Sequence, residues 1–328
     1  MGKGEGVQAA IYRETGDSDV LSVQEVQTPD PAAGEVRVRI TFSGVNPTDW
    51  KTRSGMTGGR PAEPQVPHQD GAGVIDAVGE GVDNRSIGQR VWLYLAAFNN
   101  RWGTAAEYSV VPAKRTVPLP ETAPDELGAS LGVPGVTAAH CLGGTPDQLR
   151  GATVLVTGGA GAVGHYAIEL AKHAGARVVT TVSSPEKAEL ALAAGADRVV
   201  NYRQPGFIDE VRSFSPTVDR IVEVALGDNL ELDLAVCRPH TEIVTYAAEA
   251  RDPVLPTRRL MTANATLRYV LLYGLPDREL ADAVRWVDRA LGDGALSLLP
   301  LERFSLDDVG AAQDAVQGGA VGKVLVLP

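Results

Sequence analysis

The sequence predicts an α/β protein: a doubly wound parallel sheet occupies the middle of the chain, and a β-rich region precedes it. Three observations lead there. Residues 154–164 read as an apolar strand, a glycine-rich turn and the start of a helix. From residue 152 onward, strand-like and helix-like segments alternate, the pattern of a parallel sheet with right-handed crossovers. Before residue 124, glycines and prolines punctuate short apolar or alternating runs, as in β-rich regions.

In chain order, Glu35-Val-Arg-Val-Arg-Ile40 alternates strictly and places Val36, Val38 and Ile40 on one face of a strand. Residues 71–78 and 89–93 read as further strands, with a short helical turn near 49–53. An alanine-rich helix is expected over 125–142. After the strand at 154–156, Val163, Tyr166, Ala167, Leu170 and Ala174 recur at helical spacing. A second strand follows at 178–182. A helix over 185–194 has Pro185 in its first turn and Ser184 as N-cap. Strands are expected at 198–200, 220–224 and 242–245. Residues 277–291 form an amphipathic helix with Leu280, Val284, Val287 and Leu291 on one stripe. The apolar end, 323–328, is expected to return as a strand to the first domain. That domain would then be discontinuous, 1–124 plus 297–328, with the second domain at 125–296.

The turn itself carries chemistry. Gly159, Gly161 and Gly164 have G-x-G-x-x-G spacing between a strand and a helix. Such glycines permit a tight turn, admit a pyrophosphate close to the backbone, and let helix and strand pack closely, while free N–H groups at the helix N-terminus attract the anion. This is the dinucleotide site of a Rossmann sheet. NAD-selective sites place an acid about 20 residues further on, at the end of the second strand. Here the chain reads Thr180-Thr-Val-Ser-Ser-Pro-Glu-Lys187, with no acid at Val182 or Ser183. Ser183 and Ser184 can donate to a 2′-phosphate and Lys187 can neutralise it, so NADPH is expected rather than NADH. Glu186 sets the one opposing charge there.

The formal net charge of −11 argues against a nucleic-acid partner, which would require a basic face. The two cysteines, Cys141 and Cys237, make neither a disulfide framework nor a C-x-x-C metal pair, and a reducing cytoplasm is expected. The N-terminal Met-Gly-Lys-Gly-Glu-Gly has no apolar stretch, so no secretory signal is expected, and Gly6 stands where a myristoylation motif wants Ser or Thr. No apolar run of about 18 residues is present.

Further motifs resemble one family. Ser43-Gly-Val-Asn-Pro-Thr-Asp49, Gly71-Ala-Gly-Val-Ile-Asp-Ala-Val-Gly79, Gly88-Gln-Arg-Val91, Val133-Pro-Gly-Val-Thr-Ala-Ala139 and Gly322-Lys-Val-Leu-Val326 are similar to blocks of the zinc-free quinone oxidoreductase (zeta-crystallin-like) branch of the medium-chain dehydrogenases/reductases. The resemblance implies a GroES-like β-barrel domain joined to a Rossmann doubly wound parallel sheet domain. Zinc-dependent relatives place a Cys where this chain has Asn46 and a His where it has Gln69. With Asp70 as the lone acid, the roughly three protein ligands of a catalytic zinc are missing.

The resemblance further implies cofactor contacts at Asn46, Thr137, Gly159, Gly161, Ala162, Val163, Gly164, Tyr202, Val224, Tyr246, Val270, Leu272 and Lys323. It implies a homodimer through an edge strand at 266–272. For catalysis, Asn46, Asp49 and Lys51 are the candidates, as oxyanion donors or a proton relay, with Trp50, Arg53 and Tyr94 shaping the substrate pocket. Relatives often carry a Tyr soon after the Ser-Gly of this loop, whereas Met56 and Thr57 follow Ser54-Gly55 here. His68 reads as a packing histidine, and His165 and His173 as residues of one solvated helix. The activity implied is NADPH-dependent reduction of a quinone without a metal. Reduction of an activated C=C bond (enone, enal or enoyl thioester) and non-catalytic NADPH binding remain alternatives.

Overall fold

The structure, a computed structural model, describes residues 6–248 and 251–328. Residues 1–5, which carry the reading of the N-terminal segment, lie outside the described residues. The chain separates into two compact units. One runs to Val133 and resumes at Pro300; the other is Pro134–Leu299.

The first unit opens with β1 (Gly6–Ile11) antiparallel to β2 (Ser22–Gln27). β3 (Glu35–Val45) follows, and its alternation turns Val36, Val38 and Ile40 into a buried cluster with Ile75, Val91 and Leu93. Next come α1 (Pro47–Arg53), β4 (Asp70–Val78), β5 (Arg90–Leu93), β6 (Tyr108–Pro112) and β7 (Thr116–Pro118). Helix α2 (Asp125–Cys141) carries the chain through the break between units.

The second unit alternates strand and helix. It contains β8 (Thr153–Val156), α3 (Ala162–His173), β9 (Arg177–Val182), α4 (Pro185–Ala193), β10 (Arg198–Asn201), α5 (Phe207–Phe214), β11 (Val218–Glu223), α6 (Leu226–Val236), β12 (Cys237–Thr245), α7 (Thr257–Thr262), β13 (Thr266–Tyr269) and α8 (Asp277–Gly292). All pairings of this sheet are parallel, in the order β10-β9-β8-β11-β12-β13. That is the Rossmann order 3-2-1-4-5-6, whose reversal falls between β8 and β11. Ligands of such sheets bind beyond the carboxyl ends of the strands at that reversal.

The chain then re-enters the first unit through β14 (Leu301–Ser305), α9 (Val309–Gln317) and β15 (Lys323–Leu327). β15 pairs with the end of β3, which completes the order β14-β15-β3-β4-β5-β7 with β6 against β3. This is the GroES-like barrel expected from the sequence, and it returns Lys323 beside Val45 and Asn46.

Helix α3 departs from expectation. His165 was assigned to a solvated face, yet residues 164–171 are all buried. The Ser297 hydroxyl and amide both donate to the Glu169 carboxylate, and the His165 ring lies 3.2 Å from it. The returning segment thus covers the face that helical periodicity assigned to water. His173, two turns beyond His165, is half-exposed and meets Asp293.

Candidate functional site

In the second unit the glycine turn takes the form needed to hold a pyrophosphate. Gly158 adopts φ +68°, a left-handed conformation open to glycine at no steric cost, and this residue makes the turn. A Cβ on Gly159 would lie 2.1 Å from Thr180 Oγ1, and one on Gly164 would lie 2.4 Å from the Gly158 carbonyl oxygen. Gly161 is the N-cap of α3, and His165 N–H is the first to bond back along the helix, to Gly161 O. The amides of Ala162, Val163 and Gly164 therefore form the free end of the helix.

Val224 stands over the turn: its amide donates to Thr157 Oγ1, and its side chain approaches Gly158. The amide of Tyr246 donates to Glu223 O and that of Val270 to Thr245 O, which brings both to the carboxyl ends of β11, β12 and β13. Thr137 and Leu272 are buried in the same unit.

At the end of β9, Ser183 and Lys187 are half-buried, and Tyr202 is tied to the strand by its amide bond to Val182 O. Ser184 is more occupied. Its hydroxyl accepts from Lys187 N–H as the N-cap of α4, and the Glu186 carboxyl is held below the usual range first by its own amide and then by this hydroxyl. The carboxyls of Glu223 and Asp233, on the strand before Val224 and on α6, are fully buried; burial raises both, Glu223 raises Asp233 further, and the hydrogen bonds that Glu223 receives, from Asn229 first, pull Glu223 back down.

Both carboxyls titrate higher in the fold than in the unfolded chain. Stability is therefore lost as pH rises from the unfolded carboxylate range through the folded values. Asp233→Asn keeps a donor toward Glu223 and removes one ionisable group. We expect a gain of about 1–2 kcal/mol at pH 8 that vanishes near pH 4, read from thermal melts across pH. Equal melting shifts at both pH values would refute the raised affinity of Asp233 for a proton.

In the first unit, several of the sequence candidates converge on a buried polar cluster. Asn46 Nδ2 donates to Asp70 Oδ2 at 2.7 Å, and Lys323 Nζ donates to Asn46 Oδ1 at 2.8 Å and lies 3.5 Å from Asp70 Oδ2. Asp70 Oδ1 accepts from Val133 N–H, and Asp49 Oδ2 accepts from Asn46 N–H at the start of α1. Burial, and then the neighbouring Asp70, push the Asp49 carboxyl up to about 8. Burial raises Asp70 and lowers Lys323, and their mutual attraction pulls both back. Near neutral pH Asp49 thus keeps its proton, beside Lys323 and Asp70, whose mutual attraction opposes the effect of burial on each.

Other candidates sit elsewhere. Arg53 was expected at the substrate. Instead it is fully buried with Nε on Gln313 Oε1 and Nη1 on Gly16 O, and Nη2 lies 3.9 Å from Asp314. Its role is to position α1 against α9. Tyr94 packs on Trp92 and donates to Lys114 O. Lys51 lies over the half-buried Trp50 ring at 5.7 Å.

His68 is a packing residue with a determinate tautomer. Arg53 fixes the Gln313 amide, so Gln313 Nε2 donates to His68 Nε2. His68 Nδ1–H then donates to Ser43 Oγ, Ser43 to Thr104, and Thr104 to Asp70 O. Burial, with Lys323 second, lowers His68 to about 3 and keeps it neutral.

Two residues of this region escape a sequence reading. Gln313 comes from α9, 260 residues from the Arg53 that it orients. Tyr12, at the end of β1, lines a small cavity with Asp49 and Gln69.

A GroES-like barrel and a Rossmann unit, with a glycine turn at the sheet's reversal, define a nucleotide-dependent oxidoreductase fold. The family profile described as alcohol dehydrogenase GroES-like domain matches residues 32–121, and that described as zinc-binding dehydrogenase matches residues 162–289. The quinone oxidoreductase of Rattus norvegicus is 29% identical over 333 residues, covering 100% of both chains. A 2-haloacrylate reductase of Burkholderia sp is 29% identical over 336 residues, covering 98% of this chain and 99% of its own. Two mycobacterial structures, one a quinone oxidoreductase and one solved with NADPH, superpose with TM-scores of 0.84 and 0.83, each at 31% identity over 98% of this chain and 100% of the other. The chain belongs to the quinone oxidoreductase family of the medium-chain dehydrogenases/reductases.

Proposed function

We propose that the protein is an NADPH-dependent quinone reductase that works without a metal. The observation that carries this reading is the Asn46–Asp70–Lys323 cluster. Where a zinc dehydrogenase needs anionic or imidazole ligands, this chain has two amides, Asn46 and Gln69, and a carboxylate already paired with an ammonium. That donor set does not fit Zn²⁺. With no Lewis acid to polarise an alcohol, reduction of an electron-poor acceptor is the easier chemistry. Metal analysis of the purified protein is expected to find less than stoichiometric zinc.

The second unit's residues fit a phosphorylated dinucleotide. The amides of Ala162, Val163 and Gly164 bind the pyrophosphate, and Gly159, Gly161 and Gly164 let it approach. Ser183, Lys187 and Tyr202 bind the 2′-phosphate, with Ser184 shaping the turn. Thr137, Val224, Tyr246, Val270 and Leu272 line the rest of the nucleotide. Bound, NADPH supplies the hydride. Asn46, Asp49 and Lys51 handle the developing negative charge on the acceptor and its proton, and Trp50 offers a flat apolar face.

Likeness to the 2-haloacrylate reductase favours a second reading, hydride addition to an activated C=C bond. A panel of quinones, enones and 2-haloacrylate, each with NADPH and NADH, separates the readings. No turnover with any acceptor leaves a non-catalytic NADPH-binding protein. The exposed Tyr269 and Leu271 along the free edge of β13 support a homodimer through that edge. The sparse cysteines, both free, suit a cytoplasmic protein.

Lys187→Glu reverses the charge expected at the 2′-phosphate. Its Kd for NADPH should rise about 10- to 100-fold while that for NADH moves less than about threefold, measured by nicotinamide fluorescence. An equal change for both nucleotides would falsify the role of Lys187.

A further inference from the structure

A small cavity in the first unit, ≈ 60 Å³, is lined by Tyr12, Asp49, Thr52, Gln65, His68 and Gln69, together with Pro67 and Ala97. That is room enough for ordered water. Its walls call for water. Gln69 is 8% exposed, and its Oε1 has no hydrogen-bond partner among the described residues. An unpaired buried amide oxygen is costly, and ordered water is its ordinary remedy. Tyr12 is equally buried, and paired backbone bonds to Gln65 hold it in place. Asp49 and Arg53 act on its hydroxyl from α1.

Of the groups facing this space, two can pass a proton. Arg53, behind the cavity wall, spends its donors on Gln313 and Gly16. His68 accepts from Gln313 and gives its one N–H to Ser43. Behind Asp49, Asp70 and Lys323 are locked together with Asn46. Tyr12 and Asp49 remain. We infer that the cavity is a proton-delivery site, in which the Tyr12 hydroxyl and the Asp49 carboxyl, joined by water, protonate the anion left when hydride reaches the acceptor.

The step balances. NADPH, held by the second unit's residues, would supply the hydride that forms the new bond to the acceptor, and a π pair would move onto the acceptor oxygen. The Tyr12 O–H bond breaks as water carries its proton to that oxygen. The Asp49 O–H bond breaks to restore the phenol, and bulk water reprotonates Asp49. Between turnovers Asp49 holds that proton, since burial keeps it protonated through neutral pH, while burial raises the phenol itself to about 12.

This inference rests on the proposed reductase activity, and Tyr12→Phe tests it in the full-length protein with NADPH. The phenyl ring keeps the packing, so melting temperature and NADPH affinity should match the wild type. For an enone acceptor, kcat should fall about 100-fold, the usual scale for loss of a positioned general acid, and its pH dependence above pH 8 should flatten. Ala97→Leu, which fills the cavity and leaves both acids in place, should reproduce the flattened profile. A high-resolution crystal structure should show ordered water within hydrogen-bond distance of Gln69 Oε1 and Tyr12 Oη. An active wild type with an unaltered Tyr12→Phe pH profile, or a dry cavity, overturns the inference alone. A wild type inert with every acceptor overturns the reductase reading as well.

Discussion

Lys323→Met is expected to destabilise the first unit by about 3–5 kcal/mol, the scale seen when one member of a buried ion pair is removed and its partner left behind. Methionine preserves most of the side-chain volume, so packing changes little. What disappears is the ammonium 2.8 Å from Asn46 Oδ1 and 3.5 Å from Asp70 Oδ2, at a site where Lys323 is 3% exposed and Asp70 not at all. Asp70 would keep its bonds from Asn46 and Val133 but have no countercharge.

The loss should depend on pH. Asp49 already titrates far above its unfolded value, so between the unfolded carboxylate range and about pH 8 the native state binds the extra proton and stability falls as pH rises. Without the ammonium, Asp49 and Asp70 both move higher still, and the decline steepens. Urea melts at pH 5 and pH 8.5 should show the larger deficit at pH 8.5. The double variant Asp70→Asn/Lys323→Met should lose clearly less than the sum of its single variants, because it removes the stranded charge. Additive losses would mean that the two side chains do not act as a pair.

Much of this architecture is legible in the sequence, for identifiable reasons. A strand buried on both faces, a glycine turn and an amphipathic helix leave local signatures, which is why β8, α3, α4 and α8 begin where patterning places them. Capping chemistry was equally local, and Ser184 caps α4 as expected. Long-range coverage was not legible. His165 looks solvated until the segment carrying Ser297 returns across α3. Helix α6 spans Leu226–Val236, where Leu226, Leu230, Leu232 and Leu234 blur helical and strand periods. Strand β12 begins at Cys237, five residues before the apolar run that announces it, because Pro239 and His240 interrupt it across a register shift.

The candidate site divides the same way. Asn46, Asp49 and the glycine turn were visible as motifs. Arg53 reads as a residue of the substrate pocket because nothing local betrays Gln313 of α9, and Tyr12 is invisible because its partner cavity is built by residues 49–97.

Gly164→Ala should cost both fold and function, and its comparison with Gly161→Ala separates two jobs within one motif. At Gly164, the new methyl would sit 2.4 Å from the Gly158 carbonyl oxygen and 2.9 Å from Gly159 Cα. Both obstacles are backbone, and Gly158 is itself held at φ +68°, so the turn cannot yield without unpicking its own conformation. Helix α3 must back away from β8. Overpacking of this kind costs about 1–3 kcal/mol, and it displaces the very amides proposed to hold the pyrophosphate. NADPH affinity should fall about 100-fold or more, equivalent to roughly 3 kcal/mol. At Gly161, by contrast, the nearest atom to an added methyl is the same carbonyl oxygen at 3.4 Å, ordinary contact, and φ is −78°. Alanine there should leave stability within about 0.5 kcal/mol of the wild type, yet its methyl would stand at the mouth of the helix, where the phosphate must approach. Its NADPH affinity should fall at least about tenfold with the melting curve unmoved. Fluorescence titration and thermal melts on both variants read the two quantities independently. If Gly161→Ala binds NADPH like the wild type, the pyrophosphate does not lie on this turn, and the assignment of the second unit's nucleotide site fails with it.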